Sequence, residues 1–204
     1  NTEDPIPLFI SALGPKGRRL VAELGANWTI PVGGTEPAVA ALDDMKRAWR
    51  NAGRDPADLY ATASAGGCVL AVGEAHDSER AKAQAGPSAA MFLHDLADIS
   101  VHGELATRVP KDLVEAYKKI RRGYQPADAR YLVSNRGHLM IVRPEEAHLV
   151  TAELIQTMTM TGTAAELRDR IRVLRDAGFR QFTTHVRFGQ DQMLEEWSEV
   201  FAGV

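Results

Sequence analysis

Apolar and polar residues alternate along the chain in blocks that fit short strands, each followed by an amphipathic helix. The apolar run 7–13 ends in a glycine-proline turn, and the run 28–32 ends in two glycines. Apolar residues then recur at helical spacing over about 15–24 and again over about 35–52. This alternation predicts an α/β protein with a parallel sheet or barrel.

Two further strands are expected later in the chain. Residues 60–72 are rich in small and β-branched side chains and end in the apolar run 68–72, which is typical of a strand buried on both faces. Residues 181–186 form the fourth expected strand, before a final helix. The capping-box pattern from Thr163 to Glu166 predicts the start of the helix that precedes this strand.

The segment from about 78 to 161 is expected to be a helical insertion between strands. Its periodicity predicts helices over about 78–84, 88–96, 110–121 and 144–154, and it contains no convincing core strand. The predicted order of elements is therefore β-α-β-α-β, the helical insertion, and then α-β-α.

Length and composition limit the possible functions. The chain has 204 residues, of which 45% are hydrophobic, so it is long enough for one domain with a substantial core. Its formal net charge of −3 gives no general attraction to nucleic acid or anionic lipid. The single Cys68 excludes an internal disulfide, and neither a membrane-spanning stretch nor a secretory leader is recognisable. We therefore expect one domain over residues 1–204, located in the cytoplasm, with neither nucleic acid nor a membrane as partner.

The strand and glycine-proline turn within residues 7–17 have the chemistry of an anion site. The first N–H groups of a helix lack intrahelical acceptors, and a strand that enters a helix through such a turn aims them at one place. A phosphorylated ligand is one interpretation, and an ordinary helix-starting turn is the other. Backbone donors are the expected contacts, because Lys16 lies in a first helical turn, where a lysine is more often solvated.

A few other positions carry side chains that can do chemistry. His185 and Arg187 follow the last expected strand, at the end where a barrel exposes its active face, and they are candidate catalytic residues. The alternative is a hydrogen-bonded rim histidine and a surface ion pair. The Arg136-Gly137-His138 segment either faces a cofactor or has a local structural role. Cys68 is expected to be a core residue, and the spacing of the histidines indicates no metal site.

Several segments together resemble the bacterial luciferase-like superfamily. This superfamily comprises flavin-dependent monooxygenases and deazaflavin (coenzyme F420)-dependent reductases related to methylenetetrahydromethanopterin reductase. The segments that carry the resemblance are Phe9–Lys16, Leu20–Asn27, Asn135–Met140, Pro144–Glu146, Gly162–Leu167 and Asp176–Phe179. Together they span nearly the whole chain.

The resemblance implies a (β/α)8 TIM barrel and places the segment around Gly14 after its fifth strand. A closed barrel needs about eight parallel strands and typically ~250 residues, so this chain would supply about strands 5 to 8 together with the helical insertion. The resemblance also implies FMN or coenzyme F420 as cofactor. The reaction would be hydride transfer to, or monooxygenation of, a small organic substrate.

The cofactor contacts that the resemblance implies lie at two strand ends. They are Ser11, Ala12, Leu13, Gly14 and Pro15, in the loop that would hold the cofactor phosphate, and Pro31, Val32 and Gly33 at the next strand end. Asn27-Trp28 replaces the Asp-Gly pair usually found before that second strand, which is a departure from the family pattern.

Two hypotheses from different classes follow. The first is a luciferase-like oxidoreductase. The second is a non-catalytic or truncated half-barrel that acts by association with itself or with a partner chain, because four open parallel strands leave two unpaired edges. In both cases we expect a homodimer or association with a missing N-terminal half.

Overall fold

The computed structural model describes residue 3 and residues 6–98 and 109–204. By their internal contacts the residues group into two compact units. We call residues 1–65 with 169–184 the sheet unit, and residues 66–168 with 185–204 the helical unit.

The elements follow the predicted alternation of strands and helices. The strands are β1 (Phe9–Ser11), β2 (Asn27–Pro31), β3 (Ala61–Ala65), β4 (Val69–Leu70), β5 (Gly162–Thr163) and β6 (Gln181–Thr184). The helices are α1 (Pro15–Leu24), α2 (Thr35–Asn51), α3 (Glu79–Gln84), α4 (Gly86–Asp98), α5 (Lys111–Arg122), α6 (Tyr131–Ser134), α7 (Ala152–Met158), α8 (Ala164–Ala177) and α9 (Gln192–Ala202). Short 3-10 turns cover Pro56–Asp58 and Ala147–Leu149.

The sheet unit contains a four-stranded parallel sheet in the order β1-β2-β3-β6. The register places Ser11 opposite Thr29 and Ala65 opposite Thr184. The sheet is open, with β1 at one edge and β6 at the other. The prediction of an α/β fold with a parallel sheet is confirmed.

Helices α1 and α2 bury one apolar side each within the sheet unit. Val21 of α1 and Leu42 and Met45 of α2 are fully buried, as their helical spacing predicts. Helix α1 ends at Gly25, whose φ of 64° lies in the left-handed region that favours glycine. Trp28 of β2 stacks on Phe179, with ring centroids 6.2 Å apart.

The helical unit has its own apolar core. Side chains of α4, α5 and α7 meet in it, including Leu93, Tyr117 and Ile155, all essentially inaccessible to solvent. The parallel pair β4-β5 joins Val69 to Gly162. Just after it, the capping box before α8 is confirmed. The Thr163 N–H donates to Glu166 Oε2 at 2.8 Å, and the Glu166 N–H donates to Thr163 Oγ1 at 3.4 Å.

The prediction of one strand over residues 60–72 is wrong. Strand β3 ends at Ala65, β4 lies in a separate two-stranded sheet, and Val72 is 97% exposed. The break follows from a close approach of two backbone segments. The Met160 N–H donates to the Gly66 carbonyl at 3.0 Å, and a Cβ added at Gly67 would lie 1.9 Å from the Met160 carbonyl oxygen. The apolar run therefore does not continue β3.

Two other boundaries also differ from the predictions. The helix predicted over 144–154 is replaced by the 3-10 turn Ala147–Leu149 and by α7, whose N-cap is Thr151. The Thr151 hydroxyl accepts from the Leu154 N–H at 3.2 Å, and this starts a new helix there. The fourth predicted strand ends at Thr184, two residues earlier than expected.

The predicted helical insertion is populated by α3 to α7. Residues 99–108 of this insertion lie outside the described residues. Within the described residues, none of the helices is long and apolar enough to span a membrane.

Candidate functional site

The two predicted cofactor segments lie at the carboxyl ends of neighbouring strands in the sheet unit. Strands β1 and β2 are parallel neighbours, so their carboxyl ends are adjacent. The loop after β1 contains Ser11–Pro15, and the loop after β2 contains Pro31–Gly33. Each loop leads directly into a helix, α1 or α2. The structure therefore brings the eight predicted cofactor-binding residues to the carboxyl end of the sheet.

Both helices begin without a side-chain cap. Their N-cap residues are Gly14 and Gly34, which have no side chain and hold extended backbone, with φ/ψ of −96°/166° and −178°/162°. Pro15 occupies the first position of α1 and has no N–H, so Lys16 and Gly17 carry the first available donors of that helix. An external acceptor can take the place of the absent cap.

The surroundings of Gly14 leave room for a ligand. A Cβ added at Gly14 would meet no atom of the described residues within 4 Å. Leu13 is 61% exposed, and Ser11 and Gly14 are also exposed. The Lys16 side chain is exposed as well, in agreement with the prediction that it is solvated. The loop is therefore accessible from solvent.

The shape of this loop is fixed by its neighbours. The Trp28 indole Nε1 donates to the Ala12 carbonyl at 2.9 Å, and Ala12 itself is buried. Gly17 allows the first turn of α1 to pack closely on Ala12, because a Cβ there would lie 3.0 Å from the Ala12 Cβ. Arg18 donates to the Leu13 carbonyl at 2.6 Å. These contacts hold the backbone donors in place in the absence of a ligand.

Sequence reasoning missed Trp28 and Arg18 as loop-positioning residues. Arg18 also bonds Asp44 of α2 at 3.0 Å, so it links the loop to the neighbouring helix. Trp28 stood out only as a departure from the family pattern, and the structure shows that its indole N–H bonds the loop. The sequence marked Trp28 as unusual, but it did not show that Trp28 bonds Ala12, which lies 16 residues away.

The second loop is held from the other side of β2. The Val32 N–H donates to the Ser64 carbonyl at 2.8 Å, and the Val32 side chain is buried. Pro31 and Gly33 are half-buried. A groove of about 320 Å³ opens between α1 and α2, lined in part by Pro15, Arg18 and Asp44, but Ser11–Gly14 do not line it.

The candidate catalytic residues His185 and Arg187 belong to the helical unit and follow β6 directly. Burial, and then the charge of Arg187, lower the pKa of His185. Arg187 is 5% exposed, and burial lowers its pKa. Its guanidinium donates to the Gln84 and Leu139 carbonyls and to the Ser88 hydroxyl, so it links α3, α4 and the 137–141 turn. The structure brings Arg187 to that turn rather than to a surface carboxylate.

The Arg136-Gly137-His138 segment lines a narrow cleft in the helical unit. His94 of α4 and Glu146 line the same cleft. His94 Nε2 lies 2.7 Å from Glu146 Oε2, and the His94 ring stacks on Tyr117 with centroids 4.7 Å apart. Sequence reasoning singled out residues 136–138 and quoted Glu146 only within the resemblance segment Pro144–Glu146, and it missed His94.

Glu146 is an ionised carboxylate in an almost fully buried network. Burial alone would raise its pKa, but hydrogen bonds from His94 and Arg143 outweigh burial and lower the pKa to about 2. Arg143 Nη2 lies 2.9 Å from Glu146 Oε2, and Arg143 is itself 5% exposed and stacks over the Tyr124 ring. A charge buried in this way is stable only while its partners remain in place.

Cys68 is fully buried, and burial raises the pKa of its thiol to about 12. It is therefore a protonated thiol, and the expectation that Cys68 is a core residue is confirmed. Within residue 3, 6–98 and 109–204, histidine, cysteine and acidic side chains form no group suited to hold a metal ion.

Comparisons with known proteins identify the family. A sequence profile described as luciferase-like monooxygenase matches residues 1–181. The chain therefore belongs to the luciferase-like monooxygenase family, whose members are oxidoreductases or monooxygenases. The resemblance drawn from the sequence segments is confirmed. Among curated protein sequences, none matches this chain significantly.

The solved structures that share the fold include two F420-dependent enzymes. The coenzyme F420-dependent tetrahydromethanopterin reductase of Methanopyrus kandleri aligns with a TM-score of 0.52 and 16% identity, covering 93% of this chain and 48% of that one. An F420-dependent secondary alcohol dehydrogenase in complex with an F420-acetone adduct aligns with a TM-score of 0.55 and 18% identity, covering 99% of this chain and 50% of that one. This chain therefore spans about half the length of these proteins.

Proposed function

We propose that the chain forms the C-terminal half of a (β/α)8 barrel that works as a flavin- or deazaflavin-dependent oxidoreductase. In this proposal residues 1–204 act as one domain that supplies about strands 5 to 8. The remaining strands come from a preceding half or from a partner, and the protein works in the cytoplasm. The substrate is a small organic molecule, transformed by hydride transfer or monooxygenation.

The observation that carries the proposal is the pair of glycine-capped helices at adjacent strand ends. Gly14 and Gly34 leave the first N–H groups of α1 and α2 without a side-chain acceptor. The loop beside Gly14 is open to solvent, and its backbone is fixed by Trp28 and Arg18. Such fixed donors at a helix N-terminus fit the phosphate group of FMN or coenzyme F420.

The roles of the residues follow from this fit. The main-chain N–H groups of Lys16 and Gly17 would hold the phosphate, while Ser11–Gly14 shape the loop around it. Pro31–Gly33 would form the neighbouring wall at the β2 end. A reduced flavin or deazaflavin supplies the electrons when it is bound, and the protein's part is to bind and orient it.

Coenzyme F420 is the cofactor that we favour over FMN. The two solved relatives described above are F420-dependent by name. The assignment to this chain is a proposal, because half of each relative has no counterpart here.

The experiment is a binding titration of the purified chain with coenzyme F420, FMN and riboflavin, followed by cofactor fluorescence. Riboflavin is the matched control, because it has the FMN ring system without the phosphate. We expect FMN to bind more tightly than riboflavin, and coenzyme F420 to bind at least as tightly as FMN. Equal affinities for FMN and riboflavin would contradict phosphate recognition by the loop.

The second candidate function is association without catalysis, and the open sheet favours it as an alternative. Strand β1 lies at a sheet edge, and the apolar side chains beside and within it are exposed, with Ile6 at 90%, Leu8 at 57% and Phe9 at 41%. An exposed apolar sheet edge favours pairing with another chain. Light scattering during size-exclusion chromatography, with and without cofactor, separates the two functions. Tight self-association with neither cofactor bound supports the second candidate.

A further inference from the structure

The cleft beside His94 differs from an ordinary packing gap because one of its lining residues has an unsatisfied polar atom. His94 is 8% exposed, and its Nδ1 is buried with no hydrogen-bond partner among the described residues. Its other ring nitrogen is engaged, since Nε2 lies 2.7 Å from Glu146 Oε2. A buried nitrogen without a partner costs free energy, and a bound ligand would relieve this cost.

The network around Glu146 determines what His94 offers to a ligand. Glu146 accepts from Arg143, and its carboxylate can only accept from His94, so Nε2 is the ring nitrogen that carries the hydrogen. In a neutral imidazole Nδ1 is then an acceptor. The matching ligand group is a hydrogen-bond donor, such as a hydroxyl.

The residues that line the cleft indicate which other chemical groups the ligand carries. Ala90, Met91 and Ile141 give it apolar walls. Arg136 and His138 also line it, and both are exposed to solvent. A cationic guanidinium next to an apolar cleft favours a small organic anion.

The cleft is closed in this structure. No part of it is wide enough to hold a water molecule. Water therefore does not fill the cleft here, and a ligand enters only when the walls of the cleft separate. Within the turn of residues 137–141, Leu139 has a φ of 59°, which is unfavourable for a non-glycine residue, and Arg187 anchors its carbonyl.

We propose that this cleft is a binding site for a small hydroxylated carboxylate. The ligand hydroxyl donates to His94 Nδ1, its carboxylate lies at Arg136, and residues 137–141 move to admit it. The inference does not depend on the proposed cofactor site, because every residue that it uses belongs to the helical unit.

The test uses L-lactate as probe, with propionate and 2-propanol as matched controls. Propionate keeps the carboxylate and lacks the hydroxyl, whereas 2-propanol keeps the hydroxyl and lacks the carboxylate. Titrations of the isotope-labelled chain follow the amide resonances of residues 136–141 and the ring nitrogens of His94. We expect lactate to shift both sets and to bind about fivefold more tightly than propionate, which is the effect of one neutral hydrogen bond.

Two variants separate the roles of Arg136 and the buried ring. Arg136→Gln should weaken lactate binding by about two- to fivefold, as for an exposed ion pair, and should leave 2-propanol binding unchanged. Arg122→Gln, which removes an exposed charge elsewhere in the helical unit, is the control and should have no effect. His94→Phe keeps the stack on Tyr117 and should abolish the preference for lactate over propionate.

Three results would overturn the proposal. One is that lactate causes no shift at residues 136–141 or at His94. Another is that lactate and propionate bind equally to the unmodified chain. The third is that Arg136→Gln and Arg122→Gln weaken lactate binding to the same extent. If His94→Phe does not fold, the probe comparison and the Arg136 variant still decide between these outcomes.

Discussion

Replacing Gly14 by aspartate tests whether the loop before α1 holds a phosphate. The backbone at Gly14 is extended, with φ −96°, and a Cβ there meets no described atom within 4 Å, so a side chain is accommodated without strain. Aspartate is also a favoured N-cap residue, and it gains a few tenths of a kcal/mol over glycine in that role. We therefore expect Gly14→Asp to leave the free energy of unfolding unchanged or slightly raised.

Gly14→Asp should weaken FMN binding strongly, although it leaves the free energy of unfolding unchanged or slightly raised. Two like unit charges about 5 Å apart repel by roughly 1 kcal/mol in water and by roughly 3 kcal/mol near a protein surface. This range corresponds to a loss of affinity between about fivefold and about 150-fold. Gly14→Asn is the matched control, because asparagine caps the helix without the charge. The assay is a fluorescence titration of both variants with FMN and with riboflavin.

The comparison of the two variants isolates the charge. We expect the aspartate variant to bind FMN more weakly than the asparagine variant, and both variants to bind riboflavin alike. Equal FMN affinities for the two variants, or an equal loss of FMN and riboflavin affinity, would refute phosphate binding at this loop.

Three further predictions concern the helical unit. Gly67→Ala should destabilise the protein by about 1–3 kcal/mol in urea unfolding. The reason is that the added Cβ would lie 1.9 Å from the Met160 carbonyl oxygen. A free energy of unfolding equal to that of the control variant Gly14→Ala would contradict this prediction. The folded-state pKa of Glu146 is about 2, below the ordinary carboxyl value, so its stabilising contribution should be present above about pH 4.5 and lost as the pH falls through about 2. The 13C shift of its carboxyl carbon measures this, and a midpoint near 4.5 would be inconsistent with the buried network. Cys68 should react with thiol reagents only after unfolding, since its pKa is raised to about 12, and rapid labelling of the native chain would show that it is accessible.

Sequence patterns predicted the elements that depend on residues only a few positions apart in the chain. The glycine-proline turn before α1 and the capping box from Thr163 to Glu166 each involve residues a few positions apart, and both are found in the structure. The alternation of strands and helices predicted the parallel sheet, and its first two apolar runs, 7–13 and 28–32, are short and end at glycines. The same local reasoning located the loop at residues 11–15, but it did not show what fixes that loop.

Features that depend on distant partners were not visible in the sequence. The end of β3 depends on the approach of Gly67 to Met160, and the adjacent Cys68 N–H bonds Thr161, which is 93 residues away. His94 and Glu146 are 52 residues apart, and no pattern in the sequence pairs one with the other. Their pairing follows from the packing of the helical unit, which periodicity does not predict.

The most direct test of the central claim is an amide NMR titration of the chain with FMN and riboflavin. If the phosphate is held by the N-terminal donors of α1, the Lys16 and Gly17 amide resonances should shift with FMN and stay in place with riboflavin. Identical shifts with both compounds, or shifts with FMN that leave these two amides unchanged, would contradict the account.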